Sequence, residues 1–458
     1  MNNGVGSVLD RVKRIHFIGI GGAGMCPLAE ILHSKGYLLS GSDNNETDTL
    51  KRVRSLGIPV AMGQRAENIE GAEMIVYSAA IMKDNEELCA AKASTIPTFE
   101  RSELLGELTR RYDNCIAVAG THGKTTVTSM ITQMMYGAGG DPTAVIGGKL
   151  NLIGGNGRVG ETQNMVCEAC EFVDTFLKMY PDISVILNID EDHLDYFGSL
   201  ENIIKSFRKF VDKTTRTVVV NGDDENSLKA VEGFDKELIT FGFSDKNDYY
   251  PASISYERSK ARFDAMYKGK KLGAVALNVI GTHNITNALA AIACAIKSGF
   301  TFEEILPHLE AFSGAGRRFE ELYNKDGITI VDDYAHHPEE LRVTLEAAMN
   351  MGYNNVWAVF QPFTYSRTKI LFDDFVEVLK IPDKVVMSEI MGSREVNTYG
   401  IYTSQLAEKI PGSVWFDGFE EIADYVVKNA EKGDLIITLG CGDIYKAAKI
   451  MIEKLENQ

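Results

Sequence analysis

The chain has no run of about 18 apolar residues, the minimum for a helix that spans a bilayer. Residues 1–14 also lack the apolar segment of a secretory signal. Both absences lead to the expectation of a cytoplasmic protein with no membrane insertion. Positive charge is in short supply: 47 Lys and Arg stand against 64 Asp and Glu, a formal net charge of −17. That balance excludes nucleic acid and anionic membrane as the main partner, and leaves anionic substrates to a few local cations, Mg2+ and backbone amides. Cysteine pairing is missing too. Seven cysteines are scattered, and Cys167 and Cys170 form a lone C-x-x-C with no second pair to complete a zinc site. Reduced, partly buried thiols are expected. No internal repeat and no low-complexity tract is present. What remains, 458 residues at 45% hydrophobic and 24% charged, fits two to four globular domains.

Residues 119–126, Ala-Gly-Thr-His-Gly-Lys-Thr-Thr, carry the most information. They follow an apolar run at 115–118 that reads as a buried strand, and precede a periodic stretch at 127–136 that reads as a helix. At such a turn Gly120 and Gly123 let backbone N–H groups approach a phosphate, and the helix N-terminus adds partial positive charge. Lys124 can reach the terminal phosphates of a nucleotide, and Thr125 can ligate Mg2+. The spacing G-x-x-G-K-T is two residues shorter than the usual G-x-x-x-x-G-K-[ST]. This loop predicts an enzyme that uses ATP or GTP.

A second glycine-rich segment, residues 19–24, lies between a strand at 15–18 and a helix at 25–35, and a strand at 37–42 ends at Asp43. This is a G-x-G-x-x-G fingerprint with an acidic residue about 20 positions on. Strands at 74–78 and 96–99 complete a first α/β unit. A second unit starts at 115, with strands at 164–168, 183–188 and 217–220 and helices at 200–211 and 284–297. Antiparallel strands at 253–256, 261–267 and 272–279, with a turn at 268–270, are expected to cover one edge of its sheet. Residues 313–316 are a hinge candidate. A third α/β run follows, with strands at 328–332, 356–360, 384–387 and 435–438, and helices at 338–349, 403–409, 419–429 and 443–455. The alternation implies parallel sheets with helices on both faces.

Chemistry-bearing residues cluster at strand ends, where α/β sheets place ligands. Glu168 ends one predicted strand and residues 188–195, Asn-Ile-Asp-Glu-Asp-His-Leu-Asp, follow the next, a set suited to Mg2+. Asn284 and Asn287, with His283 beside them, read equally as helix caps or as purine contacts. Arg317 and Arg318 read either as surface ion-pair formers or as groups that reach a transferring phosphoryl. Residues 332–338, Asp-Asp-Tyr-Ala-His-His-Pro, join two carboxylates and two imidazoles at a strand end, which favours site chemistry over simple capping. Arg367 reads as a clamp for carboxylate or phosphate, or as a surface arginine.

Taken in order, GIGGAGM, GTHGKTT, NIDEDHLD, GTHNITN, GRRFE, DDYAHHP and QPFTYSRT resemble the motif set of the Mur ligases of peptidoglycan synthesis, across nearly the whole chain. That family uses the compact form of the phosphate loop. The resemblance implies an α/β protein of three domains. Residues 1–111 form a Rossmann-like UDP-substrate domain. Residues 112–316 form a P-loop-type ATPase domain with added antiparallel strands, binding ATP and Mg2+. Residues 317–458 form a Rossmann-like domain that closes and helps bind the amino acid.

The reaction implied is ATP-dependent ligation of L-alanine to the lactyl carboxylate of UDP-N-acetylmuramate through an acyl phosphate, by a monomer or homodimer. Gly19, Gly21, Gly22, Gly24, Asp43 and Ser78 would bind the UDP substrate. Gly120, Thr121, His122, Gly123, Lys124, Thr125, Thr126, His283, Asn284, Asn287, Arg318 and Asp333 would bind ATP. Thr125, Glu168 and His193 would hold metal, and Lys124, His193, Arg318, His336 and Arg367 would be catalytic. The chain departs from the family at Phe363, often His, at Thr364, often basic, and at Cys170, which replaces an acidic group and leaves the role of Glu171 open. The loop at 392–395 matches no motif of the family residue by residue, and Arg394 and Glu395 are left out of the site set. Rival readings are a ligase that attaches a preformed peptide to the same sugar nucleotide, a folylpolyglutamate synthase, a nucleotide-gated binding protein and a dehydrogenase.

Overall fold

The structure is a computed structural model that describes residues 4–257, 259–393 and 395–457. Three sheets organise it. In the first, all parallel, Arg14–Ile18 is central. Leu38–Asp43 and then Val60–Met62 lie on one side, Met74–Tyr77 and then Thr98–Glu100 on the other. The strand order reverses beside Arg14–Ile18, and the glycine-rich loop leaves that strand's C-terminal end, the position α/β sheets use for ligands.

The second sheet has ten strands. Asn164–Glu168, Asn114–Ala119, Ile183–Ile186, Thr217–Asn221 and Glu237–Phe241 run parallel in that spatial order. Their near-continuous burial follows from helices on both faces. Tyr249–Glu257, Lys260–Tyr267 and Lys270–Ile280 extend one edge as expected. The opposite edge was not anticipated: Thr143–Leu150 pairs parallel with Asn164–Glu168 and antiparallel with Gly155–Arg158. Five glycines between 147 and 157 give this hairpin a loop-like composition, and only the neighbouring strand turns it into sheet. The third sheet runs Glu320–Lys325, Ile328–Asp333, Leu435–Leu439, Val356–Phe360, Lys384–Ser388 and Val414–Phe416, with only the first pair antiparallel.

The chain gathers into two compact units. One comprises Met1–Ser253, Phe263–Val275 and Ile285–Phe312; the other comprises Ile254–Arg262, Ala276–Asn284 and Ser313–Gln458. The first sheet and the parallel part of the second share one unit because they share a core. Leu104, Leu105 and Leu108 of helix Arg101–Thr109 belong to the same apolar cluster as Phe176, Met179 and Phe207. Gly106 is required there, since a Cβ would lie 2.2 Å from the Lys178 carbonyl oxygen. In the second unit, separate apolar clusters cover the two faces of the third sheet. Among the described residues, no helix is long and apolar enough to cross a membrane, and all seven cysteines are free.

Candidate active site

The phosphate loop sits where the sequence puts it, between strand Asn114–Ala119 and helix Lys124–Gly137. Gly120 and Gly123 take φ of +144° and +88°, which side chains oppose. A Cβ on Gly120 would meet Leu187 at 2.9 Å, and one on Gly123 would meet the Asn287 amide oxygen at 3.0 Å. The loop is tied to the neighbouring strand end. Thr121 N–H donates to the Asn188 carbonyl (3.0 Å) and His122 N–H to Asn188 Oδ1 (2.8 Å). Asn188 Nδ2 donates back to the His122 carbonyl (3.1 Å), and Asp190 N–H donates to Thr121 Oγ1 (2.9 Å). Thr125 and Thr126 occupy the first helical turn, half-buried. Asn287 thus lies against this loop, one of the three residues expected at the purine.

Lys124 is held from two sides. Its Nζ donates to the carbonyls of Gly120 (2.5 Å) and Thr121 (3.1 Å) and pairs with both oxygens of Glu171, at 3.0 and 2.9 Å. Desolvation works to strip its proton. Glu171 opposes that, with Cys170 and Glu168 behind it, and the Lys124 pKa stands above the ordinary lysine value. The role left open for Glu171 is therefore structural: it is the buried counter-ion of the loop lysine. Sequence reasoning missed it because the pairing crosses 47 residues.

Glu168 ends strand Asn164–Glu168, in register with Val118 one residue before Ala119. Its Oε1 accepts from Gly147 N–H of the unexpected hairpin. His193 opens the short helix Leu194–Phe197 with a left-handed backbone, φ +52°. Its ring lies 4.4 Å from that of Phe172, and Val173 and Asp174 also take positive φ. Three left-handed non-glycine residues beside a phosphate loop mark backbone strain held at a site. Among the described residues, no group of three or more His, Cys, Asp or Glu is arranged to hold a metal ion.

In the first sheet, Gly19 takes φ +80° and the loop folds back on strand Leu38–Asp43. Asp43 Oδ2 accepts from Gly21 N–H (2.9 Å) and Oδ1 from Asn45 N–H (3.0 Å), so its carboxylate shapes the loop. Ser78 lies beside Gly19, its Cβ 3.5 Å from where a Gly19 Cβ would stand. Gly22 N–H closes a turn onto the Gly19 carbonyl at 3.2 Å.

The second unit separates residues that look alike in sequence. Arg317 is fully engaged: Nε pairs with Asp332 (2.7 Å), Nη1 donates to the Gly442 carbonyl (3.1 Å) and Nη2 to that of Gly440 (2.6 Å). Both arginines lie over the Tyr334 ring, 5.0 and 5.3 Å from its centroid, but among the described residues Arg318 makes no ion pair. Asp333 is buried and accepts from Phe319 N–H (2.7 Å) and Ala335 N–H (2.8 Å). Burial pushes its pKa up to about 6, with the Arg318 guanidinium pulling against it. Desolvation and, after it, the Arg318 charge disfavour the imidazolium form of His283. The Asn284 amide donates to the Ile280 carbonyl at 2.6 Å.

His337 caps helix Pro338–Met349, whereas His336 turns its Nδ1 to Glu340 and to the Tyr334 carbonyl, both at 3.1 Å, with Phe363 6.3 Å away. Arg367 lies in helix Tyr365–Ile370, capped by Thr364. Glu395 holds that helix start by accepting from Ser366 N–H (2.8 Å). Arg394 lies outside the described residues.

Known proteins resemble this chain in sequence and in fold. Residues 14–113 match the model described as Mur ligase family, catalytic domain. Residues 118–295 match the Mur ligase middle domain, and residues 317–442 the Mur ligase, glutamate ligase domain. The chain is 45% identical to a UDP-N-acetylmuramate–L-alanine ligase of Agathobacter rectalis, over 96% of this chain and 98% of the relative. It is 44% identical to the ligase of that name from Acetivibrio thermocellus, over 98% and 97%. Among solved structures, UDP-N-acetylmuramate-alanine ligase MurC of Thermotoga maritima superposes with a TM-score of 0.84 at 28% identity, covering 97% of this chain and 99% of the other. With three family models covering most of its length and relatives of 44–45% identity over nearly all of it, the chain belongs to the Mur ligase family.

Proposed function

We propose that the chain joins L-alanine to the lactyl carboxylate of UDP-N-acetylmuramate with ATP, giving UDP-N-acetylmuramoyl-L-alanine, ADP and phosphate in peptidoglycan precursor synthesis. The observation that carries this reading is the pairing of a compact phosphate loop, with Glu168 and the 188–193 segment on the adjoining strand ends, and a separate glycine-rich turn on the first sheet. The names of relatives 40–45% identical over nearly the whole chain supply the substrates. The domain boundaries proposed are 1–111, 112–316 and 317–458.

A carboxylate is a poor electrophile because oxide would have to leave. Phosphorylation of the lactyl carboxylate makes phosphate the leaving group, and the alanine amine then attacks the acyl carbon. Mg2+, when bound, neutralises phosphate charge; Thr125, Glu168 and His193 are the residues proposed to hold it. Lys124 gives its charge to the phosphate chain, Arg318 meets the charge that develops on transfer, and the loop N–H groups orient the phosphates. His336, its Nδ1 fixed by Glu340, and Arg367 are assigned to the amino-acid and acyl-phosphate region.

The test is phosphate release from Mg·ATP with UDP-N-acetylmuramate, adding L-alanine or L-Ala-D-Glu-diaminopimelate in parallel, with the amide product followed by mass. Release that needs both the sugar nucleotide and free L-alanine is expected. Release only with the tripeptide would move the chain to the peptide-attaching ligase, and release with neither would remove the ligase reading.

A further inference from the structure

Arg101 opens helix Arg101–Thr109, and a capping box between Glu100 and Glu103 fixes the direction in which that helix leaves the first sheet. The helix is clamped onto the 172–178 segment. Gly106 abuts the Lys178 carbonyl, Lys178 Nζ donates to Ser102 Oγ (3.2 Å), and Tyr180 N–H donates to Thr109 Oγ1 (3.0 Å). Arg101 is therefore held by packing rather than by an ion pair. Its side chain lies across Gly24, where a Cβ would stand 3.0 Å from Cδ, 3.2 Å from Nε and 3.3 Å from Nη1. The glycine of the fingerprint makes room for this guanidinium.

The helix that Arg101 opens packs on the 172–178 segment, which follows Glu171, the partner of Lys124. Several other arginines of this region have carboxylate partners: Arg52 pairs with Glu30, Arg54 with Glu46, Arg111 with Asp10 and Glu107. Among the described residues, Arg101 makes neither a hydrogen bond nor an ion pair, and the N–H groups of Ala23 and Gly24 engage no acceptor in the chain. A half-buried guanidinium with five donors, set beside two open backbone N–H groups in a chain of net charge −17, is built for an anion.

We infer that Arg101 is a substrate contact whose guanidinium binds an anionic group of the sugar nucleotide, its pyrophosphate or its lactyl carboxylate, beside the glycine-rich loop. The inference rests on the ligase reading proposed above and adds to it a substrate contact at that loop. Arg101 lies across Gly24 of the glycine-rich turn, on the helix that packs against the segment following Glu171.

The test uses the full chain as wild type, Arg101→Ala and Arg101→Lys. Calorimetric titration measures UDP-N-acetylmuramate, UDP-N-acetylglucosamine, which has the pyrophosphate but no lactyl carboxylate, and ATP. Loss of a charged hydrogen-bonding group predicts about 10- to 100-fold weaker UDP-N-acetylmuramate binding by Arg101→Ala. ATP affinity and melting temperature should be unchanged, with part of the loss recovered in Arg101→Lys. An equal loss for UDP-N-acetylglucosamine assigns the pyrophosphate, and a loss confined to UDP-N-acetylmuramate assigns the carboxylate. Unchanged affinity in Arg101→Ala, or an equal loss of ATP binding, overturns the inference. Failure of the wild type itself to bind the sugar nucleotide would overturn the ligase reading with it.

Discussion

Replacing Lys124 by Met should do two separable things. It removes the cation meant for the nucleotide phosphates, and it strands Glu171. The Glu171 side chain is 4% exposed and its two oxygens lie 3.0 and 2.9 Å from Lys124 Nζ. At 3 Å and an effective dielectric of about 20, such a pair attracts by about 5 kcal/mol before desolvation is charged against it. Breaking a buried pair by removing one partner costs about 3–5 kcal/mol, whereas replacing both by apolar groups of similar volume is close to neutral. Lys124→Met should therefore lose ATP turnover and also lower the melting midpoint of the transition that contains the first unit by at least about 3 °C. Lys124→Met combined with Glu171→Met should recover the midpoint to within about 1 kcal/mol of wild type, with turnover still absent. Calorimetric melts and phosphate release on the four proteins of this cycle decide the matter. A single variant that melts like wild type, or a double variant that melts as low as the single, would refute the claim that Glu171 is the buried counter-ion of the loop.

Arg317→Ala and Arg318→Ala should part company. The first leaves Asp332 buried without its ion-pair partner, costing about 3–5 kcal/mol in the second unit by thermal melt; the second should lower the midpoint less, since its link to Asp333 is electrostatic only, while kcat falls by about 100-fold or more. Asp333 bears on pH. Its folded pKa, about 6, lies above the ordinary carboxylate value of 3.8, so the folded state takes up a proton. That contribution to stability is complete below pH 3.8 and is lost as pH rises through about 6. Asp333→Asn should therefore stabilise the chain more at pH 8 than at pH 5, and should remove an acid limb near pH 6 from kcat/KM if ionised Asp333 is what holds Arg318. Chelation of divalent cations should abolish turnover, and Glu168→Gln should raise the Mg2+ concentration at half-maximal rate by about tenfold without moving the ATP-independent melting midpoint.

Strand-turn-helix signals at 15–35 and 114–137 were legible because they are local. An apolar run, glycines at the turn and a periodic stretch specify an element and its phosphate-facing end without reference to the rest of the chain. The hairpin of Thr143–Leu150 and Gly155–Arg158 was not, since glycine-rich strands carry no periodicity and exist only against the strand they pair with. The same limit divided neighbours of identical chemistry. Arg317 against Arg318 and His336 against His337 differ only in which partner the fold brings up: Asp332 and two carbonyls for one arginine, a helix start for one histidine.

The sequence by itself determined the three-sheet α/β plan, the two glycine-rich turns, the family resemblance and the set of candidate residues, because motif order and periodicity are properties of the chain alone. Tertiary structure alone decided that the first sheet and the parallel part of the second share a core, that Asp43 shapes its loop, that Glu171 pairs Lys124 across 47 residues and that Arg101 is left with its guanidinium free beside Gly24. These are contacts between segments distant in sequence, set by packing, and nothing in local pattern encodes which side chains packing will bring within 3 Å.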